Sequence, residues 1–131
     1  MEHRLPYSTT AAGEARRLSR EFLQSRLDEA RTVEFMVMVS EVVGNAVRHG
    51  EPEADGQIGF RLEGEAGVAR AVVTDAALEF TFERETFEKA NLDHMGLLMV
   101  DGLADRWGLS LDGKKAVWFE VDVAAPPRAR S

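Results

Sequence analysis

The first third of the chain carries two runs of apolar residues at helical spacing. Three hydroxyl residues, Ser8 to Thr10, precede the first run, and each is a favoured helix N-cap residue. The apolar positions of this run are Ala11, Ala15, Leu18, Phe22 and Leu27. A first helix is therefore predicted over about residues 8–27.

A second helix is predicted over about Glu34 to His49. Its apolar positions are Phe35, Met36, Val39, Val42, Val43, Ala46 and Val47. Gly50 follows this run, and a glycine in the left-handed conformation commonly ends a helix. We therefore expect the second helix to end against a left-handed Gly50.

The middle of the chain predicts a hairpin followed by a long connection. The segments "QIGFRLE" and "VARAVVTD" have the composition of strands, and the intervening "GEAG" favours a tight turn. Residues 76–93 show no clear period, so they are predicted to form a long, charged connection.

The last part of the chain predicts one helix and a second hairpin. The segment "MGLLMVDGLADRW" is predicted to be a helix, and residues 106–123 are predicted to form a hairpin that turns at Asp112 and Gly113. The second arm has apolar residues at alternate positions, namely Val117, Phe119, Val121 and Val123. This alternation is typical of a strand with one face on the core.

Together these elements predict an α+β fold. We expect a two-layer α/β sandwich in which the helices cover one face of a mixed, mostly antiparallel sheet. Residues 1–123 are predicted to form one domain, because 131 residues can bury a single core and no repeat or linker interrupts them. The end of the chain, residues 124–131, contains two prolines and two arginines and is predicted to be a disordered tail.

Composition and charge exclude several classes of function. The chain has no cysteine, which excludes disulfides, thiolate nucleophiles and zinc–thiolate sites. No apolar run approaches the ~20 residues that cross a bilayer, and the N-terminus lacks a signal peptide, so we expect a cytoplasmic protein that does not bind membranes. The net charge of −7 argues against direct binding to nucleic acid.

Three polar residues of the second helix are candidates for chemistry. Glu41, Asn45 and His49 lie four residues apart and therefore near one face of the helix. A carboxylate and an amide oxygen one turn apart can hold a hydrated divalent cation or orient a hydroxyl group for attack. The alternative is a solvated helix face, on which Arg48 and His49 only complement the helix dipole.

Asp75 and Gly96 are isolated candidates for ligand binding. Asp75 ends a predicted strand on its apolar side, where it could accept a hydrogen bond from a ligand amine, although an Asp there could also simply begin a turn. Gly96 opens the third predicted helix, where backbone amides could approach a phosphate. Alternatively, Gly96 only provides backbone freedom.

The order of these residues resembles that of a known family. "SEVVGNAVRHG" is similar to the N-box of the Bergerat-fold ATPases, which include gyrase, heat-shock chaperones, MutL and histidine kinases. "VTDAALEF", "HMGLLMVDGLADRWG" and "GKKAVWFEV" resemble the aspartate box, the second glycine box and the closing strand of that fold. Within the superfamily the chain is most similar to the anti-sigma factor serine/threonine kinases of Gram-positive bacteria.

The resemblance implies a role for each candidate. Asn45 matches the ligand of the Mg²⁺ that accompanies ATP, and Glu41 matches the candidate general base. Asp75 matches the residue that reads adenine. The remaining nucleotide-binding positions fall at Ala77, His94, Gly96 and Leu97. Residues 76–93 would then form a lid over the nucleotide.

Two positions depart from the family pattern. Ala77 stands where the family has glycine, at a cost on the order of 1 kcal/mol if the backbone requires a positive φ. His94 stands where the first glycine of a Gly-x-Gly motif is expected, and its imidazole could either clash with a triphosphate or donate a hydrogen bond to it.

The resemblance predicts an ATP-binding regulator that sequesters a sigma factor and phosphorylates an anti-sigma antagonist. It also implies a homodimer, with the first helix and the strand before it as a candidate shared or partner-facing surface. Ala77 and His94 favour the alternative of a non-catalytic protein-binding module with the same fold. A detached histidine-kinase domain is less favoured, since no helical pair carrying a phospho-acceptor precedes it and His3 lies in an apparent terminal tail.

Overall fold

A computed structural model of the chain describes residues 1–76, 97–110 and 114–124. These residues form five strands and three helices. The strands are β1 (Glu2–Pro6), β2 (Gln57–Glu65), β3 (Val68–Asp75), β4 (Arg106–Ser110) and β5 (Lys115–Asp122). The helices are α1 (Ala11–Leu23), α2 (Glu29–His49) and α3 (Leu98–Leu103).

The described strands form one sheet in the order β1-β2-β3-β5-β4, and every pairing is antiparallel. Alternate residues of β2, β3 and β5 are buried, as expected for a sheet with one face on the core. The opposite face carries ion pairs, such as the one between Arg106 and Glu120 at 2.7 Å. The predicted α+β class is confirmed.

The core lies between the sheet and α2, the longest described helix. Phe35 of α2 meets Phe119 of β5 edge-on, with ring centroids 4.8 Å apart, and neither side chain is exposed. Burying a side chain of this size contributes roughly 1.5–3 kcal/mol to stability. The packing of α2 on the sheet therefore sets where the polar residues of this helix lie.

The first residues of the chain form a strand, which the apolar periodicity did not predict, although the family resemblance implied a strand before the first helix. β1 pairs with β2, so His3 lies opposite Phe60 in the sheet and not in a terminal tail. Leu5 is fully buried, and the N-terminal amino group donates to the Leu62 carbonyl at 2.9 Å. A strand with one fully buried residue has little periodicity, and pairing with a distant segment stabilises it.

The structure extends α2 at its start. The helix begins at Glu29, not near Glu34, because Asp28 caps it: the Asp28 carboxylate accepts the Arg31 backbone N–H at 2.8 Å.

None of the helices among the described residues is both long and apolar enough to cross a membrane.

The other two helices are shorter than predicted. α1 spans Ala11–Leu23, and Thr10 precedes it without a side-chain cap. α3 ends at Leu103, since Arg106 and Trp107 already pair with β5. The predicted hairpin of β4 and β5 is confirmed, while its turn at Asp112 and Gly113 lies outside the described residues, as does the predicted tail beyond Ala124.

A buried ion cluster joins the start of α2 to the sheet. The Arg31 guanidinium is 1% exposed and contacts the carboxylates of Glu34 at 3.1 Å and Asp105 at 2.8 Å. The Asp105 carboxylate also accepts the Asp122 backbone N–H at 2.7 Å. Arg31 thus ties the N-terminal end of α2 to the residue before β4 and to the end of β5.

We expect the substitution Arg31→Ala to lower the free energy of unfolding by about 3–5 kcal/mol, because it removes a buried cation that two buried carboxylates contact. Urea unfolding of the two proteins measures this difference. Arg20→Ala is the matched control: Arg20 pairs with Glu29 at the surface, so its loss should cost less than about 1 kcal/mol. Equal losses in the two variants would contradict the prediction.

Candidate functional site

Asn45 lies on the side of α2 that faces into the protein. Its side chain is 1% exposed, which contradicts the interpretation of this residue as part of a solvated helix face. The Asn45 Oδ1 atom is buried and has no hydrogen-bond partner among the described residues. A buried amide oxygen without a partner is costly in a folded protein, by about 1–3 kcal/mol, and therefore points to a ligand that supplies the missing contact.

Glu41 lies one turn before Asn45 and is half-buried. Its carboxylate makes no hydrogen bond or ion pair with the part of the chain that the structure describes. Both residues share a helix face with Gly44 and Arg48. The Arg48 guanidinium lies over Gly44, where a Cβ atom would be 2.8 Å from Nη1. A carboxylate, an amide oxygen and an arginine therefore occupy neighbouring positions on α2.

His49 does not join Glu41 and Asn45 in the protein interior. Its side chain is exposed at the end of α2. Of the three residues predicted to share one stripe, Asn45 is buried, Glu41 is half-buried and His49 faces the surface. The candidate site on α2 therefore consists of Asn45 and Glu41, without His49.

Gly50 ends α2 for a reason different from the one expected. Its φ of −92° and ψ of −165° are extended, so the predicted left-handed conformation is wrong. A Cβ atom at Gly50 would lie 2.5 Å from both the Ala46 carbonyl oxygen and the Asp75 Oδ2 atom. Glycine is therefore needed here because the carboxylate at the end of β3 approaches the backbone closely.

Three hydrogen bonds hold the end of α2 against neighbouring segments. The Gly50 N–H donates to the Ala46 carbonyl at 2.8 Å, and the Ala76 N–H donates to the Glu51 carbonyl at 2.9 Å. The Tyr7 hydroxyl donates to the Gly50 carbonyl at 2.7 Å. The segment after β1 thus helps to fix the position of Gly50 beside Asp75.

Asp75 is buried and forms an ion pair that the sequence analysis missed. It lies opposite Lys115 in the antiparallel pairing of β3 with β5. The Lys115 Nζ atom is 3.1 Å from Asp75 Oδ2, and the two side chains are 3% and 1% exposed. The interpretation of Asp75 as only the start of a turn does not account for this burial.

A second ionic cluster lies beside this pair, nearer the surface. Glu53, in the loop after α2, contacts both Arg4 and Lys114. Burial acts to raise the pKa of Glu53, but the hydrogen bonds and charges of Lys114 and Arg4 outweigh it and hold this pKa below its usual range. The cluster joins β1 and the start of β5 to the loop that follows the candidate site.

Leu97 directly precedes α3 and is fully buried, so its side chain belongs to the core. Any contact that Leu97 makes with a ligand would have to come from its backbone. The other predicted positions of the glycine boxes, Ala77, His94 and Gly96, lie outside the described residues. The predicted lid, apart from Ala76, also lies outside them.

A family model for the histidine kinase-like ATPase domain matches residues 5–120. The chain belongs to this family. The match spans nearly all of the sheet and includes every candidate residue discussed above. No curated protein sequence matches the chain.

The fold of this ATPase domain is also found among solved structures. The chain is similar to the crystal structure of the RsbU and RsbW domains of Rv1364c from Mycobacterium tuberculosis, with a TM-score of 0.64 and 22% sequence identity. The similarity covers 100% of this chain and 34% of that protein. At this identity it shows a shared fold, and the chain spans about a third of the length of that protein.

The residues of the ATPase domain fit a magnesium ion that takes most of its ligands from nucleotide phosphates and water and few from the protein. Among the described residues, no group of three or more His, Asp or Glu side chains is arranged to bind a metal. Asn45 Oδ1 is a buried oxygen without a hydrogen-bond partner among the described residues, and Glu41 lies one turn away. Magnesium in nucleotide sites keeps water and phosphate oxygens as ligands and needs only one or two from protein.

The sequence analysis missed two structural features at the candidate site of this ATPase domain. The first is Lys115, which is in phase with Val117 and Phe119 and therefore on the core side of its strand. A lysine on the core side of a strand predicts a buried ammonium group, which needs an acidic partner. The second is the close contact of Gly50 with Asp75, for which the local sequence carries no signal, because it depends on the packing of α2 against β3.

We expect Gly50→Ala to lower the free energy of unfolding by about 1–3 kcal/mol, because the new methyl group would overlap the Asp75 carboxylate and the Ala46 carbonyl. The backbone angles themselves suit alanine. Urea unfolding measures the change. The control Gly102→Ala adds a methyl group that meets nothing within 4 Å in α3, so it should raise stability, by up to about 1 kcal/mol. A neutral Gly50→Ala variant would contradict the proposed contact.

Proposed function

We propose that this chain binds ATP with Mg²⁺ and acts as an anti-sigma regulatory factor. In this proposal it sequesters a sigma factor and phosphorylates an anti-sigma antagonist on Ser or Thr. The observation that carries the ATP-binding part is the buried Asn45 Oδ1 beside Glu41, which has no hydrogen-bond partner in the described part of a chain of the histidine kinase-like ATPase family. The regulatory part rests on the resemblance of the sequence to anti-sigma kinases.

The nucleotide would lie between the face of α2 that carries Glu41 and Asn45 and the end of β3. Asn45 is proposed to hold Mg²⁺, which would neutralise part of the phosphate charge. Asp75 is proposed to accept a hydrogen bond from the adenine amine. Leu97 would contribute through its backbone. The roles assigned to Ala77, His94 and Gly96 rest on the sequence resemblance alone.

Phosphoryl transfer requires positioning and charge stabilisation more than covalent chemistry from the protein. Glu41 is the proposed general base, which would accept the proton of the attacking Ser or Thr hydroxyl. Its carboxylate is half-buried and has no ion-pair partner within the described ranges, so it remains available as an acceptor. Arg48 lies on the same helix face and is proposed to stabilise phosphate charge.

The acidic character of the chain supports a protein partner. A net charge of −7 would favour association with basic surfaces of a sigma factor, because complementary charge speeds encounter and excludes wrong partners. We also propose that the chain forms a homodimer. Its candidate interface includes α1 and β1, the elements at one edge of the described fold.

The second candidate function is a binding module that has kept the fold and lost catalysis. The departures from the family pattern at Ala77 and His94 favour it. In that case the chain would sequester its partner without ATP turnover. The two functions differ in whether ATP binds and whether its γ-phosphate is transferred.

Thermal unfolding of the protein with and without millimolar ATP and Mg²⁺ tests nucleotide binding. ATP at ~100 times its dissociation constant should stabilise the fold by ~2.7 kcal/mol, which raises the Tm by several degrees. Asn45→Ala should abolish the Mg²⁺-dependent part of this shift. Ser40→Ala, on the side of α2 where Ser40 accepts a hydrogen bond from Arg16, should keep it. No shift in the wild type would exclude the ATP-binding proposal.

The proposed role of Glu41 as general base is tested by substitution. Glu41→Gln should slow phosphate transfer from γ-labelled ATP to an anti-sigma antagonist by about 10²–10⁴-fold, because the amide cannot accept the hydroxyl proton. The ATP-induced rise in Tm should persist, since Glu41 is assigned to chemistry and not to binding. Wild-type protein that binds ATP and antagonist without transferring label would favour the non-catalytic module.

A further inference from the structure

We propose that Gly44 is a positioning residue for ATP binding. In this proposal the absence of a side chain at Gly44 leaves room for the Arg48 guanidinium to lie along α2, where it contacts the terminal phosphate of ATP. The inference rests on the proposed function, because it assumes that ATP binds beside Asn45. It gives a role to a residue that has no functional group of its own.

A glycine at position 44 is unfavourable for the helix. α2 spans Glu29–His49, so Gly44 lies in its interior, where glycine destabilises a helix relative to alanine. The close approach of another element does not explain it. The three atoms nearest to a Cβ atom at Gly44 all belong to Arg48, with Nη1 at 2.8 Å and Cζ and Nη2 at 3.6 Å. Among the described residues, an alanine here would therefore displace the Arg48 side chain first.

Arg48 lies over Gly44 without an ionic partner. Side chains of a helix point toward its N-terminal end, so Arg48 reaches back toward the turn that carries Glu41 and Asn45. The guanidinium makes no hydrogen bond or ion pair with the part of the chain that the structure describes. The Glu41 carboxylate and the buried Asn45 Oδ1 also lack such a partner there. Three polar groups in this state along one helix face point to a ligand that contacts them.

The role proposed for Glu41 indicates which phosphate Arg48 contacts. Glu41 would accept the proton of the attacking hydroxyl group, so it must lie beside the phosphoryl group that is transferred, which is the terminal one. Gly44 is three residues from Glu41, and residues three apart are neighbours on the surface of a helix. A guanidinium over Gly44 is therefore close to this phosphoryl group, and its planar set of N–H donors suits phosphate oxygens.

The substitution Gly44→Ala tests this role, because the new methyl group displaces only the flexible end of Arg48. We expect the Tm to rise by up to about 5 °C, since alanine favours the helix interior. The affinity for ATP should nevertheless fall by about tenfold relative to the affinity for ADP, which lacks the terminal phosphate. Isothermal titration calorimetry with Mg²⁺ measures both affinities. A purely structural role of Gly44 would leave their ratio unchanged.

Two further variants isolate the contribution of Arg48. Gly102→Ala is the matched control, because a Cβ atom there meets nothing within 4 Å. It should also raise the Tm but keep the wild-type ratio of ATP affinity to ADP affinity. Arg48→Met should lower this ratio as Gly44→Ala does. Adding Gly44→Ala to Arg48→Met should change the ratio no further, since both substitutions remove the same contact.

Three results would overturn the role of Gly44. The first is a Gly44→Ala variant that keeps the wild-type ratio, and the second is one that weakens ATP and ADP by the same factor. The third is a further tenfold fall when Gly44→Ala is added to Arg48→Met, because Gly44 would then act without Arg48.

These outcomes differ from a failure of the proposed function. If the wild type binds neither nucleotide in the presence of Mg²⁺, the proposed ATP binding fails, and the role of Gly44 fails with it. If the wild type binds ATP and Gly44→Ala gives one of the three contrary results, only the role of Gly44 fails.

Discussion

The candidate site depends on the close approach of the end of α2 to the end of β3. Asp75 Oδ2 lies so near the backbone of Gly50 that a Cβ atom there would be only 2.5 Å away. Lys115 holds the same oxygen from β5, and the Tyr7 hydroxyl holds the Gly50 carbonyl. The end of α2, β3 and β5 thus meet at a single carboxylate, and this junction fixes where α2 presents Glu41 and Asn45.

The opposite end of α2 is fixed by a different set of charges. Arg31 joins Glu34 and Asp105, and the Asp105 carboxylate also holds the Asp122 backbone. Buried ion pairs contribute little net stability compared with apolar packing, but each member depends strongly on the others. With polar anchors at both ends and apolar contacts such as Phe35–Phe119 between them, α2 has little freedom to slide along the sheet.

The candidate site that α2 and the sheet form combines a buried amide oxygen that has no hydrogen-bond partner among the described residues with a buried ion pair. Asn45 Oδ1 is buried without a partner among the described residues, whereas Asp75 is held by Lys115. The first arrangement favours a ligand that brings positive charge, such as a metal ion. A nucleotide with its magnesium ion supplies this charge, so the ATPase family assignment and the buried Asn45 oxygen support the same proposal.

The sequence by itself determined the α+β class, the β2–β3 and β4–β5 hairpins and the helical face that carries Glu41 and Asn45, because these follow from local periodicity. Its periodicity did not reveal β1, which only the family resemblance implied, because its single fully buried residue, Leu5, needs β2 as a partner. It also assigned Gly50 to a left-handed cap and overlooked Lys115. Only the tertiary structure decided these points, since the conformation of Gly50 and the pairing of Lys115 depend on a carboxylate that is distant along the chain and adjacent in space.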